Sequence, residues 1–126
     1  MKKIIKTQNA PAPIGPYNQA ILSGNTLYIS GQIAINPRTN ELVLSDIKTE
    51  TKQVMENLKA ILKEAKTDFS TVVKSSIFLS DMNNFGAINE VYGSYFEGLI
   101  APARETVEVS VLPKNVNVEI SMIAVI

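Results

Sequence analysis

The last quarter of the chain alternates with a period of two, and that pattern constrains the fold more than any other feature. Between residues 104 and 111, Val107, Val109 and Val111 share one side, while Arg104, Thr106, Glu108 and Ser110 share the other. Between residues 116 and 125, Val118, Ile120, Met122 and Ala124 share a side, opposite Glu119, Ser121, Ile123 and Val125. Both segments read as strands, rich in Val and Ile and buried. With their aliphatic sides under helices, Arg104 and Glu119 fall together on the far face of the sheet. Burying an unpaired charge costs more than a short strand recovers, so each needs a partner or a task. Ile123 and Val125 lie on that far face too, and a half-apolar sheet face suggests a subunit interface.

The rest of the chain supplies further strands and two helices. Residues 18–22 and 26–35 read as strands joined by the hairpin signal Ser23-Gly24-Asn25. A turn follows at Asn36-Pro37-Arg38-Thr39-Asn40, then a short strand over about 41–44. Asp46 reads as the N-cap of a helix over about 47–66, with Val54, Leu58, Ile61, Leu62 and Ala65 at helical spacing. Residues 72–79 read as a strand. Asp81 then caps a second helix with an apolar face of Phe85, Ile88, Tyr92, Tyr95, Phe96 and Leu99, and Pro102 ends any continuation. Helices on one side of the sheet and an oligomer contact on the other define an α+β chain.

Composition narrows the chemistry. The 126 residues suit one core and contain neither Cys nor His. Disulfides, thiolate nucleophiles, histidine-based triads and paired-histidine ribonuclease chemistry are excluded. No acidic loop suggests a metal, so none is expected. Formal net charge is zero, without a basic stripe, which argues against nucleic acid. No apolar run approaches a membrane span, and no apolar segment of a secretory signal follows the first lysines. A cytoplasmic protein is expected.

Five segments resemble the reactive intermediate deaminase family, also called the Rid or YjgF family. They are Ala12-Pro13-Ile14-Gly15-Pro16-Tyr17-Asn18-Gln19-Ala20, Tyr28-Ile29-Ser30-Gly31-Gln32 and Asn89-Glu90-Val91-Tyr92, then Pro102-Ala103-Arg104-Glu105-Thr106-Val107 and Leu112-Pro113-Lys114-Asn115-Val116-Asn117-Val118-Glu119-Ile120. They occur in order over nearly the whole chain. The resemblance implies one Rid-like domain over 1–126: a single mixed sheet with two helices on one face. It implies a chorismate-mutase-like homotrimer joined through the other face, with ligand sites between subunits. It also implies cofactor-independent hydrolysis of 2-imino acids such as 2-iminopropanoate and 2-iminobutanoate to 2-keto acids and ammonia. Thr106 stands where many family members carry Cys, and Ser121 where a second Glu is common.

Against that substrate the residues take roles, each beside a plainer one. The Arg104 guanidinium suits a carboxylate through a bidentate pair; its alternative is a structural salt bridge with Glu119 or Glu108. Glu119 suits holding a water beside the imine carbon and moving protons; its alternative is the counter-ion of Arg104. Tyr17 closes the pocket or packs its loop. Ser30 and Gly31 allow close approach of a ligand or mark a bulge. Asn89 reaches a ligand from a neighbouring subunit or sits exposed on its helix. The Thr106 carbonyl orients the water, or its side chain fills strand space. Two other functions stand beside the deaminase: a non-catalytic trimer that binds small carboxylates, and an endoribonuclease or translation inhibitor.

Overall fold

The computed structural model describes residues 1–126. Six strands form one mixed sheet: β1 (Lys2–Ile5), β2 (Ala20–Ser23), β3 (Thr26–Gln32), β4 (Val72–Leu79), β5 (Ala103–Glu108) and β6 (Val118–Val125). The helices are α1 (Ile47–Glu64) and α2 (Phe85–Ser94). Strand order is β1-β2-β3-β6-β4-β5, antiparallel except for the parallel pair β4–β5. That parallel pair needs a crossover, and α2 lies within it.

The helices form where expected. Asp46 caps α1 by accepting from the Thr49 amide at 2.8 Å. Asp81, expected to cap the second helix, instead caps a short 3-10 turn, Met82–Asn84, and α2 follows from Asn84. Val54, Met55, Leu58, Ile61 and Leu62 of α1 are fully buried. They form one core with Leu27 and Ile29 of β3, Ile77 and Leu79 of β4, the inward side of β6, Ile88 and Tyr92 of α2, and Phe96 just beyond it.

Several boundaries differ from expectation. The N-terminal residues 2–5 form an edge strand against β2, where the sequence suggested none. The expected strand over 26–35 ends at Gln32, after a register shift between Ile29 and Gln32. The strand expected near 41–44 is a single bridge between Ile35 and Leu42. α2 stops at Ser94, so Tyr95, Phe96 and Leu99 lie beyond it, and Leu99 is 40% exposed.

The largest correction concerns the last two strands. β6 is central, with Val118, Ile120, Met122 and Ala124 buried towards the helices and Glu119 on the far face, as expected. β5 is not buried. It is the sheet edge, it ends at Glu108 rather than at residue 111, and its phase is the reverse of that expected: Val107 is 39% exposed. Register sets the phase. Arg104 lies beside Ser75, which is fully buried towards α2, and Thr106 lies beside Ile77. Arg104 and Thr106 therefore face the helices. Glu105 and Val107 share the far face with Ser76 and Phe78, their partners on β4.

One buried carboxylate ties α1 to β6. Glu50 has no exposed surface; its oxygens accept from the Asn117 amide at 2.7 Å, the Asn117 Nδ2 at 2.8 Å and the Val118 amide at 3.2 Å. These bonds hold the chain just before Glu119. Glu50→Ala would orphan three donors, so a loss of about 3 kcal/mol or more is expected in urea unfolding.

Candidate active site

A cavity of about 360 Å³ opens on the far face of the sheet, between the loop at residues 11–17, the end of β3 and the start of β6. Tyr17, Ser30, Gly31 and Glu119 all line it, with Ile14, Ile33 and Ile35 making apolar wall. Four of the seven residues singled out from the sequence thus converge in one place.

Gln19 builds the outer wall. It is 3% exposed, and its Nε2 donates to the carbonyls of Thr7 at 3.0 Å, Ala10 at 3.2 Å and Pro11 at 2.8 Å. Its Oε1 accepts from the Thr7 amide at 2.7 Å. This amide satisfies the loop where no strand pairs with it. Ser30 Oγ donates to the Asn18 carbonyl at 2.6 Å, tying the other end of the loop to β3. The Tyr17 hydroxyl accepts from the Ile14 amide at 3.3 Å while the side chain stays 44% exposed at the mouth.

Glu119 lies across Gly31. A Cβ on Gly31 would sit 2.7 Å from Glu119 Cδ and 3.0 Å from Cγ, and closer still to Oε2. The glycine is there for this close approach; the ladder irregularity between Ile29 and Gln32 lets it happen. Burial pushes the Glu119 carboxyl above its ordinary value, and no other influence opposes it. Gly31→Ala should leave the fold intact but displace the carboxylate by about 1 Å, lowering any turnover that depends on Glu119 roughly 10²-fold. Steady-state rates beside an unchanged circular dichroism spectrum check this.

Arg104, Thr106 and Asn89 lie elsewhere, which corrects the expectation that Arg104 and Glu119 share a face. Glu119 is in register with Phe78, which pairs with Val107, three residues beyond Arg104. Two strand spacings and three residues of rise put the two Cα atoms on the order of 14 Å apart, with side chains on opposite faces. The structural salt bridges considered for Arg104 are absent: the ion pairs are Lys48–Glu90 and Lys74–Glu105. Glu108 instead accepts from the Met82 amide at 2.7 Å. The Arg104 guanidinium lies over the rings of Tyr92 and Phe85, 5.1 and 5.7 Å from their centroids. Asn89 is half-buried on α2, between those two aromatics in helical phase. The Thr106 hydroxyl is buried without a hydrogen-bond partner.

Sequence reasoning missed the structural roles of Gln19 and Glu50, and the contact of Phe85 with Arg104. Gln19 had a readable signal, because it falls within the first family-like segment, directly before a strand. Glu50 had none, since a Glu in the first turn of a helix is usually solvated.

The structure is thus a small α+β protein with helices on one face of its sheet and an acid-bearing cavity on the other. Comparison with known proteins identifies the family. The family model described as Endoribonuclease L-PSP matches residues 7–126. A RutC family protein of Pyrococcus horikoshii is 56% identical over 124 residues, 98% of each chain. The mouse 2-iminobutanoate/2-iminopropanoate deaminase is 47% identical over 125 residues, 99% of this chain and 92% of that one. A Yersinia pestis structure, described as a protein of unknown function of the conserved Rid family, superposes with a TM-score of 0.98 at 50% identity over the whole of both chains. The chain belongs to the Rid (YjgF) family.

Proposed function

We propose that the protein hydrolyses small 2-imino acids, such as 2-iminopropanoate and 2-iminobutanoate, to 2-keto acids and ammonia. The observation that carries this is Glu119: a desolvated carboxylate without a partner, held over Gly31 in a lined cavity. Burial makes such a group hold its proton more tightly than a solvated carboxylate, which suits it to proton transfer. The mouse relative's name supports the same reaction class.

The chemistry follows from the groups present. Glu119 takes a proton as its water adds to the imine carbon. It delivers that proton to the imine nitrogen, giving a neutral carbinolamine, then takes the hydroxyl proton and passes it to the amino group, so that ammonia leaves as the C=O forms. Arg104 would grip the substrate carboxylate. Within one protomer Arg104 cannot reach the Glu119 cavity, so the working cleft takes Arg104, Asn89 and the Thr106 backbone from one subunit. Glu119, Tyr17, Ser30 and Gly31 come from its neighbour. A homotrimer joined through the far face accounts for the exposure there of Tyr28 at 50%, Val125 at 42% and Val107 at 39%.

A carboxylate-binding regulatory trimer would use Arg104 but leaves the unpaired Glu119 without a task. Nuclease action has little support in a chain of zero formal charge that lacks His. The test couples purified protein to an amino-acid oxidase or dehydratase and follows loss of the imine, with light scattering on the same preparation. Faster imine loss by a trimer is expected. A monomer at micromolar concentration, or an unchanged rate, overturns the reading.

A further inference from the structure

An arginine that binds substrate must be held still without having its N–H groups occupied. A carboxylate partner would fix the side chain but fill the same fork that the substrate needs. Arg104 has no ion pair in the protomer, yet its guanidinium lies against two aromatic rings. Both distances, 5.1 Å to Tyr92 and 5.7 Å to Phe85, fall within cation–π range. Ring faces attract the flat side of the guanidinium and leave its in-plane donors free.

The clamp is anchored. The Tyr92 hydroxyl donates to Ser75 Oγ at 2.8 Å, and its ring packs on Phe96 with centroids 4.9 Å apart. Ser75 is fully buried and is the β4 residue in register with Arg104. The restraint therefore begins and ends on one rung of the sheet. Phe85, the first residue of α2, stands two turns before Tyr92 on the same helix face and is 38% exposed.

We propose that Phe85 and Tyr92 are positioning residues that fix the plane of the Arg104 guanidinium and thereby set how tightly the site takes a carboxylate. The proposal rests on the reading of Arg104 as the carboxylate-binding group.

The test replaces Phe85 with phenylalanines of increasing ring fluorination, which keep the shape and withdraw the negative ring face. Three quantities are measured: pyruvate and 2-oxobutanoate affinity by calorimetry, KM and kcat in the coupled assay, and the Arg104 side-chain Nε NMR signal. The chain has only two arginines, so the exposed Arg38 serves as an internal reference. With each added fluorine, affinity should fall and KM rise, by about threefold to tenfold across the series. The kcat and Tm should stay nearly constant, and the Arg104 signal should drift towards that of Arg38. Tyr92→Phe, which keeps the ring and loses the Ser75 bond, should loosen the same signal. A residue that merely packs would respond to neither fluorination nor ring electronics. Unmoved affinity and an unmoved Arg104 signal across the series overturn the proposal. Normal carboxylate binding and a responsive clamp in a protein without imine hydrolysis would instead overturn only the deaminase reading. No carboxylate binding by the unaltered protein would overturn the role of Arg104, and with it the functional part of the clamp.

Discussion

Arg104→Ala is expected to abolish carboxylate binding and imine turnover in a protein that remains folded. Its half-buried guanidinium joins no ion pair, so truncation removes no structural bridge. The transition state would lose a charge-assisted bidentate contact, on the order of 2–5 kcal/mol, part of it from the abandoned partner. Arg104→Lys should also be poor, because a point charge cannot reproduce the planar fork. The opposite-face geometry adds a sharper expectation. If each cleft combines Arg104 of one subunit with Glu119 of the next, two inactive variants can complement each other. Unfolding and refolding Arg104→Ala with Glu119→Gln in equal amounts should restore about a quarter of the wild-type rate, the statistical share of clefts that receive both intact residues. Near-normal turnover by folded Arg104→Ala would show that the carboxylate is held elsewhere. Absent complementation, with mixed oligomers demonstrated, would place both residues in one subunit's site.

Glu119→Gln separates catalysis from binding. The amide keeps the shape but cannot cycle a proton. Turnover should fall roughly 10²–10⁴-fold, the loss typical of a general acid–base group, while affinity for a 2-keto acid is retained. The loss should appear in kcat much more than in KM. Stability should move the other way. Burial raises the Glu119 pKa above its ordinary 4.5, so the folded state holds this proton more tightly than the unfolded chain. Below the ordinary value both states are protonated, and Glu119 costs nothing through titration. As pH rises through the raised pKa, the charged form must sit in a desolvated place, and stability is lost. Gln mimics the protonated form. The variant should therefore melt higher than wild type at neutral pH, with the difference closing below about pH 4. An equal or lower Tm at neutral pH would mean that Glu119 is stabilised as an anion, as a counter-ion of Arg104 in the assembled protein would be. Unchanged turnover with unchanged affinity would leave Glu119 a bystander.

Much was legible in the sequence because it rests on local rules. The Asp46 cap and the apolar stripe of α1 follow from helix geometry, and the stripe is buried as its spacing required. The phase of β6 was readable because a central strand packs against helices, and its four aliphatic residues could only face them. Glu119 was singled out for the same reason: an acid in a Val- and Ile-rich strand has to be accounted for. The Ser30-Gly31 pair was open to two readings, a bulge or close approach of a ligand, and the ladder irregularity there bears out the bulge. What approaches Gly31 is the Glu119 side chain.

The β5 phase was not legible. Alternation states that a strand has two different faces, but not which one meets the helices. For a central strand the apolar face must be inward. β5 is an edge strand, where each face has fewer neighbours and burial gives a weaker preference. Parallel registry with β4 and two aromatic rings on α2 turned Arg104 inward and Val107 outward. The N-terminal strand escaped for a related reason, since Lys2-Lys3-Ile4-Ile5 carries no period and gains its structure from pairing with β2. Gln19 and Glu50 are buried only because chain segments remote in sequence arrive with polar groups to satisfy. The sequence by itself determined the two helices, most of the strands and the core, and singled out Arg104 and Glu119. Tertiary structure decided that Arg104 and Glu119 stand on opposite faces, because register and long-range partners orient an edge strand and its own alternation does not.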